Sequence, residues 1–83
     1  MFLMKVILLP HAEAQMRERG ISEEQVLLTL GEPDGEYPVE RRRVRAERRL
    51  PGMRLAVKVV YNLSPETGER IVISVMRGRP TRR

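Results

Sequence analysis

The sequence has no cysteine and no tryptophan, and only one histidine, one phenylalanine and one aspartate. Each shortage excludes something. Without cysteine there can be neither a disulfide nor a thiolate metal site. A lone histidine without thiol partners also argues against zinc, so no metal and no cofactor is expected. Phe2, Tyr37 and Tyr61 are the only aromatic residues, which leaves few of the stacking platforms that single-strand RNA modules use. Long hydrophobic runs are absent too. The stretch MFLMKVILLP is interrupted by Lys5 and is too short to span a bilayer. It also lacks the charge order and cleavage site of a secretory signal. The expectation is a soluble, cytoplasmic protein with no membrane partner. Lysine is scarce, with two against fourteen arginines, in a formal net charge of +5. Arginine is favoured where planar, bidentate contacts to phosphate matter, so nucleic acid is a candidate partner.

The 83 residues read as one small domain with a thin core, since a chain this short buries only roughly 60% of its unfolded surface. Pairing with a second copy would supplement that core, and a homodimer is expected. Residues 2–9 read as an apolar first strand or arm that ends at Pro10. Residues 12–19 are helix formers, with Ala12 and Met16 on one face and Gly20 as a left-handed stop. A second helix start follows. Ser22 and Gln25 have capping-box spacing, Ile21 and Val26 that of a hydrophobic staple, and Glu23 and Glu24 lie at the positive end of the dipole. Val26, Leu27 and Leu30 form its expected buried stripe, and Gly31 and Pro33 end it.

The glycines and prolines of residues 31–40 read as a loop. The period then becomes two. Val44, Ala46 and Leu50 alternate with Arg41, Arg43, Arg45, Glu47 and Arg49, a strand with one inward and one charged face. Pro51 and Gly52 suit a type II turn. Residues 54–63 form the next strand, with Leu55, Val57, Val59, Tyr61 and Leu63 on one side. Residues 64–69 turn again, and the apolar segment 70–77 reads as a central strand covered on both faces. Residues 78–83 read as a basic tail that frays. The expected fold is α+β: two short N-terminal helices packed on a three- to four-stranded antiparallel meander.

The stretch from His11 to Ile21 resembles the opening signature of domain-of-unknown-function family 4258, a set of short bacterial domains. That signature runs roughly His-Ala-x-x-Arg-Met-x-x-Arg-x-Ile, followed by an acidic helix start and a valine. His11, Ala12, Met16, Arg19 and Ile21 match it, and Ser22, Glu23, Glu24 and Val26 continue the match. Met53, Arg54, Leu55, Val57, Val59 and Tyr61 echo the family's Gly-Arg-Leu-x-Val-x-Tyr strand, and Ile71, Val72, Ile73, Val75 and Met76 its closing strand. Gln15 departs from the pattern, standing where the family carries its first arginine. The family looks like a relative of the RelE-like and barnase-like folds of bacterial toxin ribonucleases. The resemblance therefore implies a RelE-like fold, RNA as a partner, an antitoxin-like protein as a second partner, and metal-independent ribonuclease activity.

Metal-free RNA cleavage needs an acid, a base and cations that hold phosphate. His11, at a helix start, is the candidate acid or base, and Arg19, two turns on, a candidate phosphate contact; the competing reading of His11 is a helix cap. Arg41, Arg43, Arg45 and Arg49 project from alternate positions as a stripe about 27 Å long, along which successive phosphates could lie. Glu47 interrupts it, as it would in a solvated edge face protected by charge. Tyr61 lies in the inward register, with its hydroxyl at a rim. No phosphate-binding glycine loop, catalytic triad or spaced carboxylate pair is present. A non-catalytic interaction module is the alternative function. DNA binding lacks support, because the second helix offers no basic face to a major groove.

Overall fold

The computed structural model describes residues 4–81. Their element order is β1 (Val6–Leu8), α1 (Pro10–Arg19), α2 (Glu23–Gly31), β2 (Gly35–Val39), β3 (Arg43–Arg49), β4 (Ala56–Leu63) and β5 (Arg70–Gly78). The fold is α+β, but the expected small antiparallel meander is corrected. The strands form one five-stranded mixed sheet in the order β1-β5-β4-β3-β2. β1 runs parallel to β5, and the other neighbouring pairs are antiparallel. The helices follow the first strand. The part of the expected first strand before Met4 lies outside the described residues.

Local chemistry explains both helices. Pro10 does not merely end β1. It takes the first helical position, where its missing N–H would be unpaired in any case. Leu9 therefore occupies the N-cap, without a side-chain cap, and His11 is not the cap. Gly20 closes α1 in the left-handed region, φ 63°, which costs glycine little. α2 opens with both bonds of the capping box: Gln25 N–H donates to Ser22 Oγ at 3.1 Å, and Ser22 N–H to Gln25 Oε1 at 3.0 Å. The buried stripe of α2 is Val26, Thr29 and Leu30. Val26 and Leu30 are buried as expected, but Leu27 is exposed and Thr29 takes its place in the stripe. Thr29 is tolerated inside because its hydroxyl donates to the Gln25 carbonyl at 2.7 Å.

Residues 31–40 are not wholly loop. Gly35–Val39 pair with β3 from Glu47 to Arg43. Pro38 stands within this strand because β2 is the sheet edge, where a missing amide removes no ladder bond on the open side. The hairpin tip that follows holds Arg41 and Arg42 with φ of 63° and 60°, and Arg43 N–H reaches back to the Glu40 carbonyl at 3.4 Å. The turn at Pro51 and Gly52 forms as expected: Gly52 has φ 74°, and Met53 N–H donates to the Leu50 carbonyl at 3.0 Å.

Both helices pack on one face of the sheet, α1 over β5 and α2 over β4 and β3. Ala12, Met16, Ile21, Val26 and Leu30 meet Ala46, Val57, Val59, Tyr61, Val72 and Val75 there. Period-two alternation puts the remaining strand positions on the face that no helix covers, so β5 is central but has helices on one side only. Tyr61 is core, as its register implies, and its hydroxyl donates to Glu36 on β2. Burial and the Glu36 carboxylate push that phenol up to about 12.

Gln15 has a structural task. β1 stops at Leu8, and further along β5 the Val75 amide donates to Gln15 Oε1 at 2.8 Å. β5 carries an irregularity between its partners Val60 and Tyr61, and Gln15 pins α1 close to it.

Three arginines of the sheet serve as helix C-caps. Arg77 donates to the Gly20 carbonyl at 3.0 Å, Arg70 to the Leu30 carbonyl at 2.7 Å, and Arg48 to the Glu32 carbonyl. The last carbonyls of a helix lack partners within it, and cations are favoured at that end. α2 has no basic residue in its own last turn, so the sheet supplies them.

Candidate functional site

The uncovered face is built around β3. Arg43, Arg45, Glu47 and Arg49 alternate with the inward Val44, Ala46 and Arg48, and Lys58 on β4 lies opposite Glu47. At roughly 3.3 Å per residue the arginines from 43 to 49 span about 20 Å. The stripe is thus shorter than expected, because Arg41 belongs to the hairpin tip and not to the strand.

Glu47 is the centre of this face and is only 3% exposed. Its carboxylate accepts from the Thr81 amide at 2.9 Å and from the Thr81 hydroxyl at 2.7 Å. Lys58 Nζ lies 3.6 Å away. Arg45 Nε lies 3.0 Å from the same carboxylate, within ion-pair distance but not aligned to donate to it. Burial pulls the Glu47 carboxyl upward, but the two Thr81 hydrogen bonds and the charges of Lys58 and Arg45 more than reverse this and hold it below the usual carboxylate value. The described part of the C-terminal tail is therefore latched rather than frayed. Arg82 and Arg83 lie outside the described residues.

Two glycines make room for this cluster. Tyr37 folds back over Gly35, where a Cβ would collide with its ring, and Arg45 lies over the Tyr37 ring, 5.6 Å from its centre. The Lys58 stem crosses Gly78, where a Cβ would come within 3.2 Å of it. Arg43 Nε has no partner among the described residues.

At one end of the face, Arg49, Arg54, Leu55, Arg79 and Pro80 line an open groove of about 760 Å³. Arg49 is held there by two bonds: its amide donates to Asp34 Oδ2 at 2.7 Å, and its Nε to the Met53 carbonyl at 3.1 Å.

His11 and Arg19 stand apart from this surface. Both are exposed on α1, in the helical layer behind the sheet. Eight residues of helix separate them, about 12 Å along the axis, and the nearest charge to Arg19 is Glu18, at 3.9 Å. The structure brings Arg43, Arg45 and Arg49 together and does not bring His11 to them. Sequence reasoning missed Tyr37, Lys58 and Thr81. For Lys58 a signal exists, its alternation with the inward Val57 and Val59, but nothing local ties Thr81 to Glu47, 34 positions away.

A family model, Domain of unknown function (DUF4258), matches residues 8–77. The chain belongs to this family. The match takes in both helices and all strands except the start of β1 and the end of β5. No curated protein and no solved structure gives a significant match to this DUF4258 domain. Among its described residues no helix is long and apolar enough to cross a membrane, and no cluster of His, Asp or Glu has metal-binding geometry.

Proposed function

We propose that this DUF4258 domain is an RNA-binding domain of RelE-like type, and that the uncovered sheet face is its RNA surface. The observation that carries the reading is the alternation of Arg43, Arg45 and Arg49 on a strand face that no helix covers, with Lys58 beside them. Other arginines are occupied elsewhere, Arg48, Arg70 and Arg77 on helix carbonyls. On the open face Arg45 donates to the Thr81 hydroxyl at 3.1 Å beside Glu47, and Arg49 donates through Nε to the Met53 carbonyl. The Arg43 side chain forms no hydrogen bond or ion pair with any described residue, and Glu47 is the only carboxylate on that face of β3. The spacing and charge of these three arginines suit contacts to successive phosphates, which give affinity without base readout. The scarcity of aromatic side chains fits backbone binding better than base stacking.

Metal-independent cleavage with His11 as acid or base and Arg19 as phosphate contact draws less support. General acid–base catalysis requires the group within hydrogen-bond reach of the reacting atoms, and α1 lies on the opposite side of the sheet from the arginines. Binding of a fluorescent single-stranded RNA, followed by anisotropy, tests the main reading. Arg43→Glu with Arg45→Glu is expected to weaken it by at least about tenfold at moderate salt. Unchanged affinity in a folded double variant would remove the face from the account. The same RNA in chelator reports cleavage, and a product that appears with wild type but not with His11→Ala would restore the enzymatic reading.

A further inference from the structure

The groove beside the arginine face has its own composition. Arg49, Arg54 and Arg79 line it together with the apolar Leu55 and Pro80, and no carboxylate side chain does. The sheet brings them together. Arg49 ends β3, Arg54 and Leu55 lead into β4, and Arg79 and Pro80 follow β5, whose Gly78 pairs with Ala56. The wall formed by residues 79 and 80 is fixed by the next residue, since Thr81 is bound twice to the buried Glu47. Arg49 is oriented through its Nε by the Met53 carbonyl, while Arg54 and Arg79 form no hydrogen bond or ion pair with any described residue.

Three arginines lining one groove carry more positive charge than one phosphodiester, with a single negative charge, requires. They match a phosphate monoester, which approaches two negative charges at neutral pH and accepts bidentate guanidinium contacts. The groove's volume lies within the range of small-ligand sites, and its apolar residues offer a surface to a sugar or base.

We propose that this groove binds the terminal phosphate of a nucleotide, with the ribose and base against Leu55 and Pro80. The choice of a nucleotide among phosphate monoesters rests on the reading of the adjoining face as an RNA surface. Two sources share this chemistry, a free nucleoside monophosphate and the phosphorylated end of an RNA.

The test uses the full chain and adenosine 5′-monophosphate as probe, by calorimetry. Saturable binding is expected, at least about tenfold tighter than for adenosine or for the methyl ester of the same nucleotide. Arg54→Ala and Arg79→Ala, both at exposed positions, are each expected to weaken it by about fivefold or more, and Arg54→Lys by less than Arg54→Ala, because it keeps the charge and loses the fork. Equal affinity for adenosine and its monophosphate, or no effect of the double alanine variant, would overturn the proposal. Oligonucleotides with 5′-phosphate or 5′-hydroxyl ends distinguish the sources: a preference for the phosphate assigns the groove to an RNA end, and nucleotide binding without that preference assigns it to the free nucleotide. The RNA surface fails separately. Nucleotide binding with no RNA affinity would sink the surface and leave the groove, whereas RNA binding sensitive to Arg43 and Arg45 but without nucleotide binding would do the reverse.

Discussion

Glu47 is an acid in the middle of a basic face, and its environment explains why it is there. A carboxylate removed from water is costly unless paired and hydrogen-bonded. Here it receives two hydrogen bonds from Thr81 and has two cations beside it. It lowers the mutual repulsion of Arg45 and Lys58 and ties down the tail. Its depressed folded-state pKa fixes the sign of the pH dependence. Stability from this group is present above the unfolded carboxylate value and is lost as pH falls through the lower folded value. Urea unfolding midpoints measured from neutral to acid pH are expected to fall in wild type across that window. Glu47→Gln is expected to be less stable at neutral pH by about 2 kcal/mol and to show a flatter acid dependence. Parallel curves for the two proteins would mean that Glu47 does not carry this linkage.

The elements show where a sequence speaks for itself. The start of α2 was legible because its signals are local: Ser22, Gln25, Glu23 and Glu24 act within one turn. The stop at Gly20 and the turn at Gly52 were legible for the same reason. β2 was not, because Gly35 and Pro38 disfavour a strand locally and only its edge position and its pairing with β3 make it one. The parallel pairing of β1 with β5 was also hidden, since it joins segments more than 60 residues apart. For the site, the odd-position arginines were legible from their period, but the Thr81 latch and the Arg49–Arg54–Arg79 groove depend on distant chain segments. The helix-capping tasks of Arg48, Arg70 and Arg77 were equally invisible, because composition cannot separate a structural arginine from one that waits for a ligand.

The β2–β3 hairpin tip carries a prediction at this same scale. Arg41 and Arg42 are consecutive left-handed residues, a conformation that favours Gly or Asn and costs other residues roughly 1–2 kcal/mol each. Arg41→Asn with Arg42→Gly is expected to relieve more strain than the added glycine costs in unfolded-chain entropy. A melting temperature higher by about 3–6 °C would follow for a domain of this size. A lower one would show that the tip is not strained as its backbone implies. Strain of this kind tends to persist where function holds it.

At the scale of the whole molecule, the mixed sheet separates two populations of side chains. The helical side holds the apolar core and places Arg48, Arg70 and Arg77 on helix ends. The other side gathers Arg43, Arg45, Arg49 and Lys58, with Glu47 as the only acid among these β3 and β4 positions, and opens at one end into a three-arginine groove. A net charge of +5 is therefore unevenly presented, which favours approach of a polyanion to one face. The most direct test of that polarity as an RNA surface is a two-dimensional amide NMR titration of the ¹⁵N-labelled domain with a short single-stranded RNA. Shifts are expected along Arg43–Arg49 and around Lys58, while the amides of α1, including His11 and Arg19, stay in place. Shifts confined to α1 and α2, with β3 unmoved at saturating RNA, would contradict it.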